Sequence, residues 1–145
     1  MTGSSNVRVS RLDVSRRAPG LCQSLMVLSC VRLSLRFLGL GRTVKVVRWL
    51  DRRCAVRAQR DMATARSVEE SVAKAAALFP GRALCLEQSV TLYALLRRSS
   101  VPARLRLGAQ AYPFGAHAWV ETNGEPLNDI AEHVAFYVPL EDLLP

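Results

Sequence analysis

The stretch "LLRRSSVPARLRLG", Leu95 to Gly108, holds the point at which the chain changes its period. Before it, apolar residues recur at helical spacing. At Val101-Pro102 the proline ring disfavours the helical region for the residue before it. Beyond it Ala103, Leu105 and Leu107 alternate with Arg104 and Arg106, the period of a half-buried strand. A helix therefore ends here and extended chain begins.

Upstream, Leu84 to Arg98 reads as a helix. At 100° per residue, Leu86, Val90, Leu92, Tyr93, Leu95 and Leu96 share one broad arc with Cys85, while Glu87, Thr91 and Arg98 lie opposite. Cys85 is thus expected to face inward from the first turn. Pro80-Gly81 closes a preceding helix that Ser67, with Glu69 and Glu70 behind it, is expected to cap and that runs to Phe79. Earlier still, Leu21 to Leu40 and Thr43 to Arg60 read as helices split by Gly39 and Gly41. Downstream, Ala116 to Glu121 is a second strand, Asn123-Gly124 a hairpin turn, and Pro126 to Ile130 the returning strand. Helices followed by antiparallel strands is an α+β order.

With 145 residues and 50 % hydrophobic side chains, the chain suits one folded domain. Residues 1–20, polar and arginine-rich, are expected to be a flexible N-terminal segment. Residues 21–145 then form a single domain, its basic helical part over 21–80 and its core over 81–145. The net charge of +8 is unevenly spread. Residues 1–60 carry 13 cationic side chains against Asp13 and Asp51, whereas the remainder is net acidic by three. The basicity belongs to the front helices and marks a partner surface, with exposed arginines such as Arg52 and Arg53 as its contacts. Only Phe37 and Trp49 are aromatic there and no nucleic-acid motif is present, so a nucleic-acid partner is not expected.

No secretory signal precedes the first apolar run, and Gln23, Arg32, Arg36 and several serines interrupt Leu21 to Leu40. That composition suits a buried or interfacial helix better than a membrane span, with a basic contact to a membrane surface left open. Four cysteines, Cys22, Cys30, Cys54 and Cys85, form no CxxC pair, which fits free thiols in a cytoplasmic setting. Cys22, Cys30 and Cys54 are expected to be small buried hydrophobes. Neither a metal-ligand set nor a GxxxxGK[ST] phosphate loop is apparent, so no cofactor is expected.

Cys85 differs because it opens a helix, where the macrodipole and unpaired N–H groups favour a thiolate and can hold an oxyanion. His117 lies on the following strand between Ala116 and Ala118, which leave its imidazole room. Cysteine and histidine so placed are the minimum set for thiol catalysis, and Asp129 supplies an orienting acid. His133 has no such small-residue setting and is expected to be structural or partner-facing.

The segment "CLEQSVTLYALLRRSSVPARLRLGAQAYPFGAHAWVETNGEPLND", Cys85 to Asp129, resembles the core of the transglutaminase-like cysteine peptidases of lasso peptide biosynthesis, the B2 leader peptidases. A cysteine-leucine pair opens the helix and "LLRR" closes it. "ARLRLG" follows, then "AHAWVE", an NG turn and an acid, with His117 32 residues after Cys85 and Asp129 12 after His117. Gln88 departs from the basic residue that many members carry. The resemblance implies a papain/transglutaminase-like cysteine peptidase core that removes the leader of a ribosomally made precursor peptide. In it Cys85 is the nucleophile, His117 the general base and acid, and Asp129 the orienting acid. It also implies a separate leader-recognition protein and a separate ATP-using lasso cyclase as partners. Two other classes use the same features: transglutaminase-like acyl transfer to an amine, and a non-enzymatic basic adaptor for peptide or nucleic acid.

The triad sets a demand on the hairpin. A two-residue loop pairs Thr122 with Glu125 and sets Asp129 opposite Ala118, on the wrong face for His117. A three-residue loop with Gly124 left-handed in a bulge pairs Glu121 with Glu125 and sets Asp129 opposite His117, Cβ atoms about 4.5–5.5 Å apart. The bulged turn is therefore expected.

Overall fold

The computed structural model describes residues 19–52 and 62–140. The expected flexible segment 1–20 lies almost wholly outside them, as do Arg53, Cys54 and the end of the second predicted helix; of the Arg52 side chain nothing is described. The elements run α1 (Leu21–Arg52), α2 (Met62–Leu78), α3 (Cys85–Arg98), β1 (Arg104–Gln110), β2 (Gly115–Thr122), β3 (Glu125–Pro126), α4 (Ala131–Val134) and β4 (Val138–Pro139). The four strands form one antiparallel sheet in the order β3-β2-β1-β4. The α+β architecture expected from the change of period at Pro102 is the one observed.

Gly39, at φ 76° and ψ 172°, breaks α1 where the two front helices were expected to divide. A positive φ of that size is readily adopted only by glycine. α2 begins five residues before Ser67, so Ser67 caps nothing; its carbonyl accepts the Ser71 hydroxyl inside the helix. The buried stripe Ala65, Val68, Val72 and Ala75 starts ahead of Ser67, and packing carries the helix back to Met62. Glu69 and Glu70 pair with Arg66 and Lys74 instead of serving the helix start.

α3 is the central element. Its apolar arc joins Val31 and Val44 of α1, Val68 and Val72 of α2, and Leu105 and Val120 of the sheet in one core. Each fully buried leucine there is worth roughly 1.5–3 kcal/mol relative to an exposed one. The supposedly polar face is covered too, since Glu87 and Thr91 are buried. Their polar atoms are satisfied locally, Thr91 Oγ1 donating to the Glu87 carbonyl at 2.7 Å. The helix stops at Ser100, which has φ 60°, and the Val101 N–H returns to the Leu96 carbonyl at 2.9 Å.

By length and composition Leu21–Val47 is apolar enough to cross a membrane, and 17 % of its most apolar window is buried. One side, with Leu28, Val31 and Val44, packs into the domain. Met26, Leu33, Phe37, Val46 and Trp49 are exposed. Cys22 and Cys30 are exposed as well, contrary to the expected burial, because they fall outside the packed stripe of α1.

Candidate active site

Asn123 and Gly124 have φ values of 52° and 84°, the two positive dihedrals of a type I′ hairpin. Thr122 pairs with Glu125 and Glu121 with Pro126. The loop therefore has two residues, and the expected bulge is absent from this turn. Glu121 faces Pro126 instead of another glutamate, and its carboxylate holds Arg106 Nε at 2.9 Å and the Trp119 indole N–H at 3.0 Å.

Asp129 nonetheless reaches His117, because the returning strand does not continue to Ile130. Leu127 N–H donates to the Val120 carbonyl at 2.8 Å. The reciprocal donor, Val120 N–H, goes to the Asn128 side-chain oxygen at 2.8 Å, while the Leu127 carbonyl accepts from Arg66 of α2 at 3.2 Å. Asn128 Nδ2 also donates to Ser89 of α3 at 2.9 Å. With side chains replacing the ladder, the backbone leaves the sheet and Asp129 turns to the other face.

There His117 Nε2 bonds Asp129 Oδ2. Both side chains are mostly buried, 15 % and 14 % exposed. The bond falls on Nε2, which leaves Nδ1 as the free acceptor of the neutral ring when Nε2 carries the proton. The imidazole stacks on Trp119, with centroids 6.1 Å apart and planes at 17°, and lies 5.1 Å from the Tyr137 ring. Gly108, paired with His117 in the neighbouring strand, makes this possible. A Cβ at Gly108 would stand 2.7 Å from Tyr137 Cβ and 2.9 Å from the Trp119 ring.

His133, expected to be structural or partner-facing, belongs to the same cluster. Its Nδ1 lies 2.9 Å from each oxygen of Asp129, four residues earlier, and its ring centroid is 5.0 Å from that of His117. Burial acts to raise the Asp129 pKa. Hydrogen bonds from His133, the Ile130 N–H and His117, with the charge of His133, outweigh it and hold the carboxyl below its ordinary range. Ligating atoms of His117, Asp129 and His133 lie within 4.8 Å of one another, a donor set that composition and spacing had not disclosed. The 2.9 Å contacts of His133 are hydrogen-bond spacings. Two ligands of a tetrahedral ion with bonds near 2.0–2.1 Å would stand about 3.3 Å apart. We read the trio as a hydrogen-bonded network.

Cys85 opens α3 and is exposed, not inward-facing, because it precedes the turns that the core covers. Leu84 gives no side-chain cap. Its N–H donates to Glu87 Oε2 at 3.0 Å, and Arg32 of α1 stands 3.8 Å from the same oxygen. Gln88 ties the approach to the helix by donating to the Ala83 carbonyl at 2.9 Å. The course of α3 follows from two contacts. Thr122 Oγ1 donates to the Pro102 carbonyl just past its C-terminus at 2.6 Å, and Ser89 Oγ donates to the Ala118 carbonyl at 2.8 Å. α3 therefore runs parallel to β2, and its first residue lies toward the His117 end. The structure joins His117 to Asp129 directly; Cys85 makes no hydrogen bond to either. A cleft of about 490 Å³ lined by Arg97, Pro102, Ala103, Arg104, Arg106, Glu121, Asn123 and Gly124 lies at the other end of β2.

The family model described as "Transglutaminase-like superfamily" matches residues 27–142, most of the chain. The chain belongs to the transglutaminase-like superfamily. Its helical front lies within the match, so the relationship extends well upstream of Cys85. Members of the superfamily are generally cysteine-peptidase-like enzymes, which supports peptidase- or acyltransferase-type chemistry and a papain-like core. No curated protein and no solved structure matches the chain significantly.

Among the residues around His117, sequence reasoning missed Asn128, Tyr137 and Gly108 and set His133 aside. The spacing of Asp129 and His133 was the available signal, since residues four apart share a face once the chain turns helical.

Proposed function

We propose that this chain is a cysteine peptidase that removes the leader from a ribosomally made lasso precursor peptide before a separate cyclase closes the ring. The observation that carries the reading is the His117–Asp129 bond through Nε2, which leaves Nδ1 available to a thiol. The direction of α3 supports it. So do the family match and the order of cysteine, histidine and aspartate that resembles the B2 leader peptidases.

In this mechanism Cys85 Sγ attacks the scissile carbonyl carbon and its proton passes to His117 Nδ1. The C–S bond forms as the carbonyl oxygen becomes an oxyanion, facing first-turn N–H groups that Leu84 does not cap. Asp129 stabilises the imidazolium. As the C–N bond breaks, His117 returns the proton to the departing amine and leaves a thioester. Water then adds, His117 takes its proton, and loss of thiolate releases the carboxylate. The Cys85–His117 contact forms in the substrate complex, since catalytic hydrogen bonds often tighten only there.

A separate leader-recognition protein delivers the precursor, and the exposed face of α1, with Phe37, Arg36, Arg42 and Lys45, is its docking surface. The setting is the cytoplasm. The superfamily match also favours a second reading, transfer of the same acyl group to an amine. The test is to incubate the protein with precursor and leader-recognition protein and weigh the products. Free leader and free core are expected, none with Cys85→Ala; a leader joined to an added amine would select acyl transfer.

A further inference from the structure

We propose that His133 is a positioning residue of this site, acting on His117 through the carboxylate they share, and that protonation of His133 turns the site down. The inference rests on the reading of His117 and Asp129 as base and orienting acid.

Asp129 Oδ2 takes both His117 Nε2 and His133 Nδ1, and Oδ1 takes His133 Nδ1 and the Ile130 N–H at 2.8 Å. One aspartate thus serves two imidazoles. His133 is set by α4, where its N–H donates to the Ile130 carbonyl at 3.1 Å, and by an edge-on contact with the Tyr137 ring at 5.4 Å. The titratable groups against it are Asp129, His117 and Tyr137, with Glu132 its neighbour on α4. Its side chain is 45 % exposed, three times the fraction of His117. Solvent reaches it while the other two stay mostly covered.

The charge arithmetic gives the consequence. With His133 neutral, Nδ1–H fixes the carboxylate in orientation and leaves its full charge for the imidazolium that forms on His117. With His133 protonated, a second cation lies 5.0 Å from the His117 ring and draws on the same oxygen. Two imidazolium ions then share one carboxylate, and the charged form of His117 that catalysis needs is disfavoured. Protonation of His133 therefore acts as a brake on the acid side.

Two variants separate position from charge. Asparagine can keep a donor near the place of Nδ1 without titrating; alanine keeps neither. The first measurement is the NMR titration of the His117 ring in the full chain, which needs no substrate. Wild type is expected to show two inflections at His117, and His133→Asn one. In cleavage of precursor delivered by its recognition protein, His133→Ala should lose about tenfold in kcat with little change in KM. His133→Asn should come within about twofold of wild type above pH 8 and keep a larger share of its rate at pH 5.5. A single His117 inflection in wild type, or superimposable pH profiles for all three proteins, would overturn the proposal. Asp129→Ala distinguishes the failures. If it is inactive while the His133 variants behave as wild type, only this inference falls; if it cleaves normally, the triad reading falls and this inference with it.

Discussion

Val120 N–H donates to the Asn128 side-chain oxygen at 2.8 Å, in the place where a continuing hairpin would use the Leu127 carbonyl. That one exchange ends β3 after two residues and turns Asp129 toward His117. It removes the apparent conflict between a two-residue turn and a histidine–aspartate pair on the opposite face. The turn keeps its favoured type I′ geometry, and the departure from the ladder occurs three residues later, anchored to α3 and α2 by Ser89 and Arg66.

Asn128→Ala should therefore affect both stability and rate. It leaves the Val120 N–H without its acceptor and removes the tie to Ser89, a loss of about 1–3 kcal/mol for an unsatisfied buried group. Thermal unfolding should show a folded protein of lower Tm. Cleavage should fall at least tenfold, because Asp129 is no longer delivered to His117. Full activity at reduced Tm would mean that Asp129 finds its place without Asn128.

The thiols can be told apart by chemistry instead of burial, since Cys22, Cys30 and Cys85 are all exposed. Cys85→Ala should abolish leader removal. Cys22→Ser and Cys30→Ser, on α1, should leave the rate within about twofold of wild type. Mass spectrometry of a quenched reaction should find the acyl group on the peptide that contains Cys85; finding it on either α1 cysteine would remove Cys85 from the mechanism.

Asp129 links the site to stability at low pH. Its carboxyl is held below its ordinary value of 3.8, so the ionised form is favoured by folding. The stabilisation is complete above that value and is lost as pH falls through the depressed folded value. Between pH 6 and pH 2 the wild type should lose more Tm than Asp129→Ala does, and parallel Tm curves would show that the network stores no such energy. At neutral pH the same variant should lose up to about 10⁴ in cleavage rate if the acid orients the base as in other triads.

Gly108→Ala tests the packing behind His117. Its new methyl would meet Tyr137 Cβ at 2.7 Å and the Trp119 ring at 2.9 Å, and neither is a flexible tip. Overpacking of this kind costs about 1–3 kcal/mol, which calorimetry should register as a Tm several degrees lower. Tyr137 must move, so cleavage should fall as well. An unchanged Tm would show that β1 can shift without cost.

The order of elements was legible locally. The proline after Val101, the alternation of Ala103, Leu105 and Leu107, and the Asn123-Gly124 pair act through dihedral preference and period, which need no distant partner. Cys85 at a helix start and the pairing of His117 with Asp129 were legible for a similar reason, as residue types at suggestive spacings. What the spacing could not disclose was how Asp129 arrives, because the ladder yields to a side chain held by Ser89, 39 residues earlier in the chain. The start of α2 ahead of Ser67, the burial of Glu87 and Thr91, and the exposure of Cys22 and Cys30 depend likewise on which neighbour covers which face. His133 was set aside for the flank it has in sequence and proved to share the carboxylate of Asp129, because a single turn of helix returns it over a residue four places back. Sequence by itself determined the local dihedral preferences and the periods they impose. Only the tertiary structure decided which polar groups satisfy one another, since a buried donor takes whichever acceptor the fold brings near, however distant in the chain.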